Sequence, residues 1–407
     1  MSAASAAARD RLAARLDAAV DAAGPLPTPT MVVDLDAFDA NAADLARRAA
    51  GTPIRVASKS LRVPDLIARA LGRPGFAGVL AFTLAEALWL TENGISDDVV
   101  VAYPTVDRAA LIRLASSAAA ARGVTLMVDC LEHLDVIDAA RASTGSTSPV
   151  RVALDVDAGL RIAGQHLGPK RSPLFSAEAV LDLARAITAR PGFRLVGVMT
   201  YEGQVAGLAD DMPGRRARSF AVRRVKALSV SQLRERRAAI TAGLAGLTEL
   251  EFWNAGGSGS LETSAADPSV TEVTAGSGLL VPGLFDHYRS FEPRPAAYFG
   301  LPVTRRPAAG MVTVHGGGLI ASGPTGADRQ PIPWAPAGLA LTSLEGAGEV
   351  QTPLTGESAD RLRVGDRVWF RHAKSGELFE HTPLTHLLAG EVIVGTARTY
   401  RGHGLAF

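Results

Sequence analysis

A single cysteine, Cys130, stands in the whole sequence. An intramolecular disulfide is therefore impossible and a cysteine-rich zinc site is excluded, which fits a reducing compartment. Cys130 closes the apolar run "GVTLMVDC" and reads as a small residue at a strand end or in the core rather than as a nucleophile. An excess of charge is also missing: 42 basic residues face 41 acidic ones, for a net charge of +1. Nothing in that balance points to nucleic acid or to an anionic membrane as a partner. There is no charge-free apolar run of about 18 residues, so no transmembrane span is expected. The N-terminal stretch "MSAASAAARDRLAARLDAAVDAAG" lacks the uninterrupted apolar core of a signal peptide. It reads as an amphipathic helix ended by Gly24-Pro25, and a cytoplasmic protein is expected.

What is present is a foldable globular composition, 47% hydrophobic and 20% charged. Between about residues 50 and 290, eight short apolar runs alternate with helical stretches. The runs are "PIRVAS", "FAGVLAFT", "DDVVVAY", "VTLMVD", "VRVALDVD", "RLVGVMTY", "LEFWNAGG" and "VTEVTAGSGLL". Most are apolar throughout, the pattern of parallel strands buried on both faces. Segments such as "VPDLIARALGR", "LAEALWLTENG" and "RAALIRLASSAAAARG" carry apolar residues at helical spacing. Eight strand–helix repeats predict an α/β fold, a (β/α)8 barrel, in preference to a doubly wound open sheet. The charged segment "GLADDMPGRRARSFAVRRVKALSVSQLRERRAAI" reads as a solvated barrel helix preceded by a mobile loop. After about residue 295 the helical periodicity fades, and Gly, Pro, Thr and Val rise, as expected of a second, mainly β domain. The expected organisation is an N-terminal helix over 1–27, a barrel over 28–292 and a β domain over 293–407. The strand-like "TMVVDLD", 30–36, is a candidate to pair with the β domain.

A β/α barrel carries its active site at the C-terminal ends of its strands. The residues there are Lys59, Tyr103, Asp155 and Asp157 (followed by Gly159 and Arg161), then Tyr201, Glu202 and Gln204, then Asn254. Two Gly/Ser loops follow strands seven and eight, at 256–260 and 276–278. Glycines let backbone N–H groups approach an anion, and serines add hydroxyl donors, so the pair suits a phosphate; two tight turns are the alternative. Lysine is rarely buried, yet "PIRVASKS" ends an apolar strand in Lys59. A lysine facing a phosphate site suits pyridoxal phosphate, whose aldehyde forms a Schiff base with an amine; a lysine snorkelling to solvent is the alternative.

"TPTMVVDLDAFDANAADLARRA" followed by "PIRVASKS" resembles the opening of the alanine racemase-like, fold-type III pyridoxal phosphate enzymes. "LDVDAGLRIAG" resembles their strand-five motif, with Gly159 and Arg161 in register. "VGVMTYEGQ", "NAGGSGS", "VTAGSGLLVPGLFDHY" and "VWFRHAKSGELFEH…RTYRG" resemble segments of the D-threonine aldolase and D-serine dehydratase branch. The resemblance implies that Lys59 holds the cofactor aldehyde. It implies that Gly256, Gly257, Ser258, Gly276, Ser277 and Gly278 bind phosphate, with Asn254 beside the cofactor. Arg161 would face the cofactor or a substrate carboxylate, and Tyr201 would bond the cofactor or move a proton. Two departures matter. No Tyr follows the lysine in "SKSLRVP", which weakens a two-base racemase. Where that branch binds a divalent metal through His-x-Cys or His-x-Asp, this chain has His372 and Lys374. Either His372 keeps a metal with Glu377 or His381, or Lys374 replaces the metal's charge at the catalytic site. Of the other histidines, His133, His166 and His315 read as structural or surface, and His287-Tyr288 as a further site candidate. The activity implied is a lyase acting at Cα of a β-hydroxy-D-amino acid, by retro-aldol cleavage or by dehydration and deamination. An amino acid racemase and a non-catalytic pyridoxal phosphate carrier are the alternatives. A head-to-tail homodimer is expected by analogy.

Overall fold

The computed structural model describes residues 3–290 and 292–407. The expected N-terminal helix is seen as Ala3–Ala22; residues 1 and 2 lie outside the described part. All eight apolar runs form strands, and the strands close into a parallel barrel. In chain order they are Ile54–Ala57, Phe76–Ala81, Val99–Val101, Val124–Val128, Val150–Asp155, Phe193–Thr200, Phe252–Ala255 and Glu272–Ala275. The last pairs back onto the first through Val273–Ile54 and Ala275–Val56. Outward side chains such as Val56, Val79, Val101 and Leu126 are buried under the helices, while Val100, Met127, Ala153, Val196, Met199 and Phe252 fill the interior as a separate cluster. Gly197 makes that filling possible: a Cβ there would stand 2.3 Å from the Phe252 ring. A packed interior leaves the mouth at the C-terminal strand ends as the place for a site.

Nine further strands form a second sheet, eight of them after the barrel. The early strand Thr30–Asp34 lies within it, antiparallel to Ala297–Ala308 and parallel to Leu384–Ala389. The N-terminal helix packs on this sheet, with Leu16 and Val20 against Val32, Tyr298, Trp369 and Leu388. Burying each such aliphatic side chain contributes roughly 1.5–3 kcal/mol.

Two local readings change. The expected single helix over "RAALIRLASSAAAARG" is two, Arg108–Ser116 and Ala118–Gly123. Ser117 is extended between them and its hydroxyl accepts the Ala120 N–H, so a serine cap competes with helix continuation. The strand-five motif also turns into a hairpin, Leu160–Ile162 with Gln165–Leu167. Its tip, Ala163-Gly164, has φ of 48° and 76°, the left-handed pair that a two-residue hairpin turn needs. Most of the charged segment before the seventh strand lies in the helix Arg216–Leu244. No helix among the described residues is long and apolar enough to cross a membrane.

Candidate active site

A cavity of about 380 Å³ opens at the barrel mouth, a size that suits a cofactor with a small substrate. Lys59 lies in a single 3-10 turn, Ser58–Ser60, directly after the first barrel strand. Its Nζ donates to the Tyr103 hydroxyl at 2.8 Å. No carboxylate among the described residues pairs with it, so its amine faces the cavity with only a phenol for company.

The turn that carries Lys59 is held from the C-terminal end of the chain. The Tyr400 N–H donates to the Arg62 carbonyl at 2.9 Å. Arg62 pairs with Glu380 at 2.7 Å, and Glu380 with Arg401 at 2.6 Å. Beneath the turn, Glu86 is wholly buried and accepts the Tyr400 hydroxyl at 2.5 Å and the Phe82 N–H at 2.7 Å. Burial pushes the Glu86 carboxyl up to about 7, against the pull of these donors.

Beside that turn, Gly276–Ser277 line the cavity, and Gly256–Ser258 line it next to them. The Ser258 hydroxyl accepts the Gly278 N–H at 2.9 Å, and the Ser60 and Ser277 hydroxyls meet at 3.0 Å. This cradle is fixed from behind. Buried Glu202 accepts from Gly256 N–H and the Ser260 hydroxyl at 3.2 Å, and from the Ser264 hydroxyl. Arg237 joins Glu202 and Asp267, each at 3.1 Å, to the Thr200 hydroxyl at 2.9 Å. Arg48 holds the Ser258 carbonyl at 2.9 Å, and Asn41 holds the Leu279 carbonyl at 3.0 Å. There is no room for larger residues: a Cβ on Gly276 would stand 2.6 Å from the Ala57 carbonyl oxygen. Hydroxyls and backbone N–H groups in a Gly/Ser cradle, in one cavity with an amine that no carboxylate pairs, fit pyridoxal phosphate.

The remaining candidates divide. Tyr201 lines the cavity and is 38% exposed on that side. Burial of its hydroxyl, then the Glu202 charge, push its acidity weaker than that of an ordinary phenol. Asn254 lines the floor, its amide bonded to Glu272 at 2.8 Å and to Thr274 at 2.9 Å. Lys374 reaches the cavity from the β sheet's side, 2.5 Å from the Ser322 hydroxyl and 3.6 Å from Glu377.

Arg161 does not face the cavity. It sits on the hairpin, exposed, with its guanidinium 3.6 Å from the Phe175 ring centroid, because the Ala163-Gly164 turn swings that strand away. Arg171, from "GPKRSPLF", is the arginine that lines the cavity, and neither motif nor periodicity marks it. His372 is also displaced from the expected role. It is buried, 3.3 Å from the Ser375 hydroxyl, and burial beside Arg371 pushes its imidazole down to about 3. It shares with Glu377 and His381 a crevice of only about 10 Å³, room for one water at most. Among the described residues, no group of three His, Cys, Asp or Glu donors within ligand range includes His372. Asp129, Cys130 and His133 do approach one another, but at a helix start, where His133 Nδ1 accepts the Asp129 N–H at 3.3 Å. Cys130 is half-buried and burial pushes its thiol up, which suits the inert reading. Of the pair His287-Tyr288, only Tyr288 lines the cavity.

Known proteins share this fold. The D-threonine aldolase of Filomicrobium marinum superposes over 92% of this chain and 95% of its own, with TM-score 0.74 and 19% identity. The D-threo-3-hydroxyaspartate dehydratase of Delftia sp. HT23 covers 92% and 97%, with TM-score 0.71 and 23% identity. The 3-hydroxy-D-aspartate aldolase of Paracoccus denitrificans (strain Pd 1222) is 28% identical over 258 residues, 62% of this chain. That match spans 60% of the relative's own length. Residues 33–281 match the family described as alanine racemase, N-terminal domain. With more than half of its length matched, the barrel included, this chain belongs to the alanine racemase N-terminal domain family.

Proposed function

We propose that this chain is a pyridoxal phosphate-dependent lyase that cleaves a β-hydroxy-D-amino acid at Cα, releasing glycine and an aldehyde. The observation that carries the reading is the Lys59 amine, bonded to a phenol and to no carboxylate, lining one cavity together with the Gly/Ser cradle. When bound, the cofactor supplies an electron sink for the bonds at Cα. Lys59 would hold its aldehyde carbon, and Gly256–Ser258 with Gly276–Gly278 its phosphate. Tyr103 steadies the lysine nitrogen through the 2.8 Å bond. Leu284, Phe285 and Tyr288 wall the cavity with apolar surface and limit water there.

Arg171 and Lys374 are two further cations on the wall. They favour a substrate with a second carboxylate, the class named for the Paracoccus and Delftia relatives. Lys374 takes the place of the Cys or Asp in the His-x-Cys or His-x-Asp pattern and lines the cavity, so we propose that its ammonium serves in place of a divalent ion's charge. The test is to supply β-hydroxy-D-amino acids and assay glycine, aldehyde and keto acid, before and after exhaustive chelation. Glycine and aldehyde in equal amounts, unaffected by the chelator, are expected. Keto acid alone would replace cleavage by dehydration. Loss of activity on chelation with rescue by added metal would remove the role given to Lys374.

A further inference from the structure

Three carboxylates gather at the ends of two neighbouring barrel strands, and one of them is left without a partner. Asp129 lies 3.2 Å from His133 Nδ1. Asp157 is met by His166 Nε2 at 2.8 and 3.1 Å and by the Gly159 N–H at 2.7 Å. Asp155 lines the cavity. Its backbone carbonyl accepts the Ser172 hydroxyl at 2.6 Å, but its carboxyl takes no hydrogen bond and no ion pair among the described residues. Burial, then the Asp129 and Asp157 charges, push that carboxyl up to about 7, against the pull of Arg171. A group poised there can accept and return a proton at neutral pH.

The other cavity groups are less suited. The Tyr103 hydroxyl is engaged by Lys59, the amine that exchanges with the substrate on the cofactor aldehyde in the proposed reading. Tyr201 is pushed toward its protonated form. We infer that Asp155 is the base that takes the substrate's β-hydroxyl proton as the Cα–Cβ bond breaks, an inference that rests on the lyase reading. The O–H electron pair becomes the second C–O bond of the departing aldehyde. The Cα–Cβ pair stays at Cα, and the proton held by Asp155 then joins it there. Glycine and aldehyde leave, Asp155 is an anion again, and no oxidant, reductant or co-reactant is consumed.

The experiment compares the holoenzyme with Asp155→Asn and Asp155→Glu. Asn mimics the neutral acid, so the variant should fold and show the cofactor absorbance of the wild type. Its kcat should fall by about 10²–10⁴-fold, the usual worth of a general base, with KM little changed. The wild-type rate should rise with pH to a plateau above about 7, and Asp155→Asn should lose that limb while Asp155→Glu recovers part of it. Independently of turnover, the infrared difference between wild type and Asp155→Asn, both cofactor-free, should show a carboxylic acid band that titrates in the same range, the Glu86 band cancelling because both proteins carry it. An Asp155→Asn enzyme within ~3-fold of wild type with the limb intact, far below the effect of losing a base, overturns the inference, as does a missing band. If the wild type cleaves no β-hydroxy-amino acid, the lyase reading falls and the base role with it. If the wild type cleaves and Asp155→Asn cleaves equally, Asp155 alone is removed.

Discussion

Glu86 is the buried group whose removal has the most calculable consequence. Its carboxyl is wholly buried and pushed from 4.5 up to about 7. Between those values the folded protein keeps a proton that the unfolded chain has released. Stability therefore falls as pH rises from about 4.5 to 7 and is flat above, because the native state binds more protons across that window. At 1.36 kcal/mol per unit, the loss is roughly 3 kcal/mol. His372, pushed down to about 3, acts in the opposite sense, destabilising the fold as pH drops below its unfolded value. The comparison must therefore be a difference between wild type and Glu86→Gln, which leaves the His372 contribution in both. Glutamine keeps the shape and can still accept the Phe82 N–H or the Tyr400 hydroxyl. At about 2.1 cal/mol/K per residue, unfolding 407 residues carries roughly 0.85 kcal/mol/K, so the effect amounts to about 3–4 °C in midpoint. Thermal unfolding of both proteins at pH about 4.5 and about 8 should show Glu86→Gln gaining that much on wild type at the higher pH. A difference between the two proteins that does not change with pH would refute the argument, because it would mean that Glu86 ionises as an ordinary carboxylate.

Two other outcomes follow from the placement of arginines. Arg171→Met should raise KM for a dicarboxylic substrate by about 10–100-fold, the worth of a charge-assisted hydrogen bond, whereas Arg161→Met, on the hairpin, should stay within ~2-fold, a change of under 0.5 kcal/mol; steady-state kinetics giving the reverse order would restore Arg161 to the site. Arg237→Met leaves Glu202 and Asp267 buried without their cation, at a cost of about 3–5 kcal/mol, so calorimetry should show a lower midpoint. The Gly256 loop that Glu202 anchors should then loosen, and a cofactor titration should show weaker binding.

The barrel was legible because parallel strands buried on both faces leave uninterrupted apolar runs, and "PIRVAS" to "VTEVTAGSGLL" mark all eight. Lys59 and the two Gly/Ser loops stood out because lysine and repeated glycine are costly at strand ends without a purpose. Arg161 misled because a two-residue turn decides which way its strand runs, and Ala163-Gly164 is a weak hairpin signal beside Asn-Gly. Arg171 carries no pattern at all; only the path of the loop after the hairpin brings it to the cavity. The contact between Glu86 and Tyr400 joins residues 314 apart, and no local period records such a pairing. The split at Ser117 is readable afterwards from two consecutive serines, which favour caps over helix interiors.

The central claim is that Lys59 is the residue that holds the cofactor. The direct measurement is the absorbance of the purified protein with added pyridoxal phosphate, before and after borohydride, alongside Lys59→Ala. A visible band that borohydride bleaches in the wild type, and that Lys59→Ala lacks, is the result predicted. A wild-type protein that stays colourless, or a Lys59→Ala variant with the same bleachable band, would contradict it.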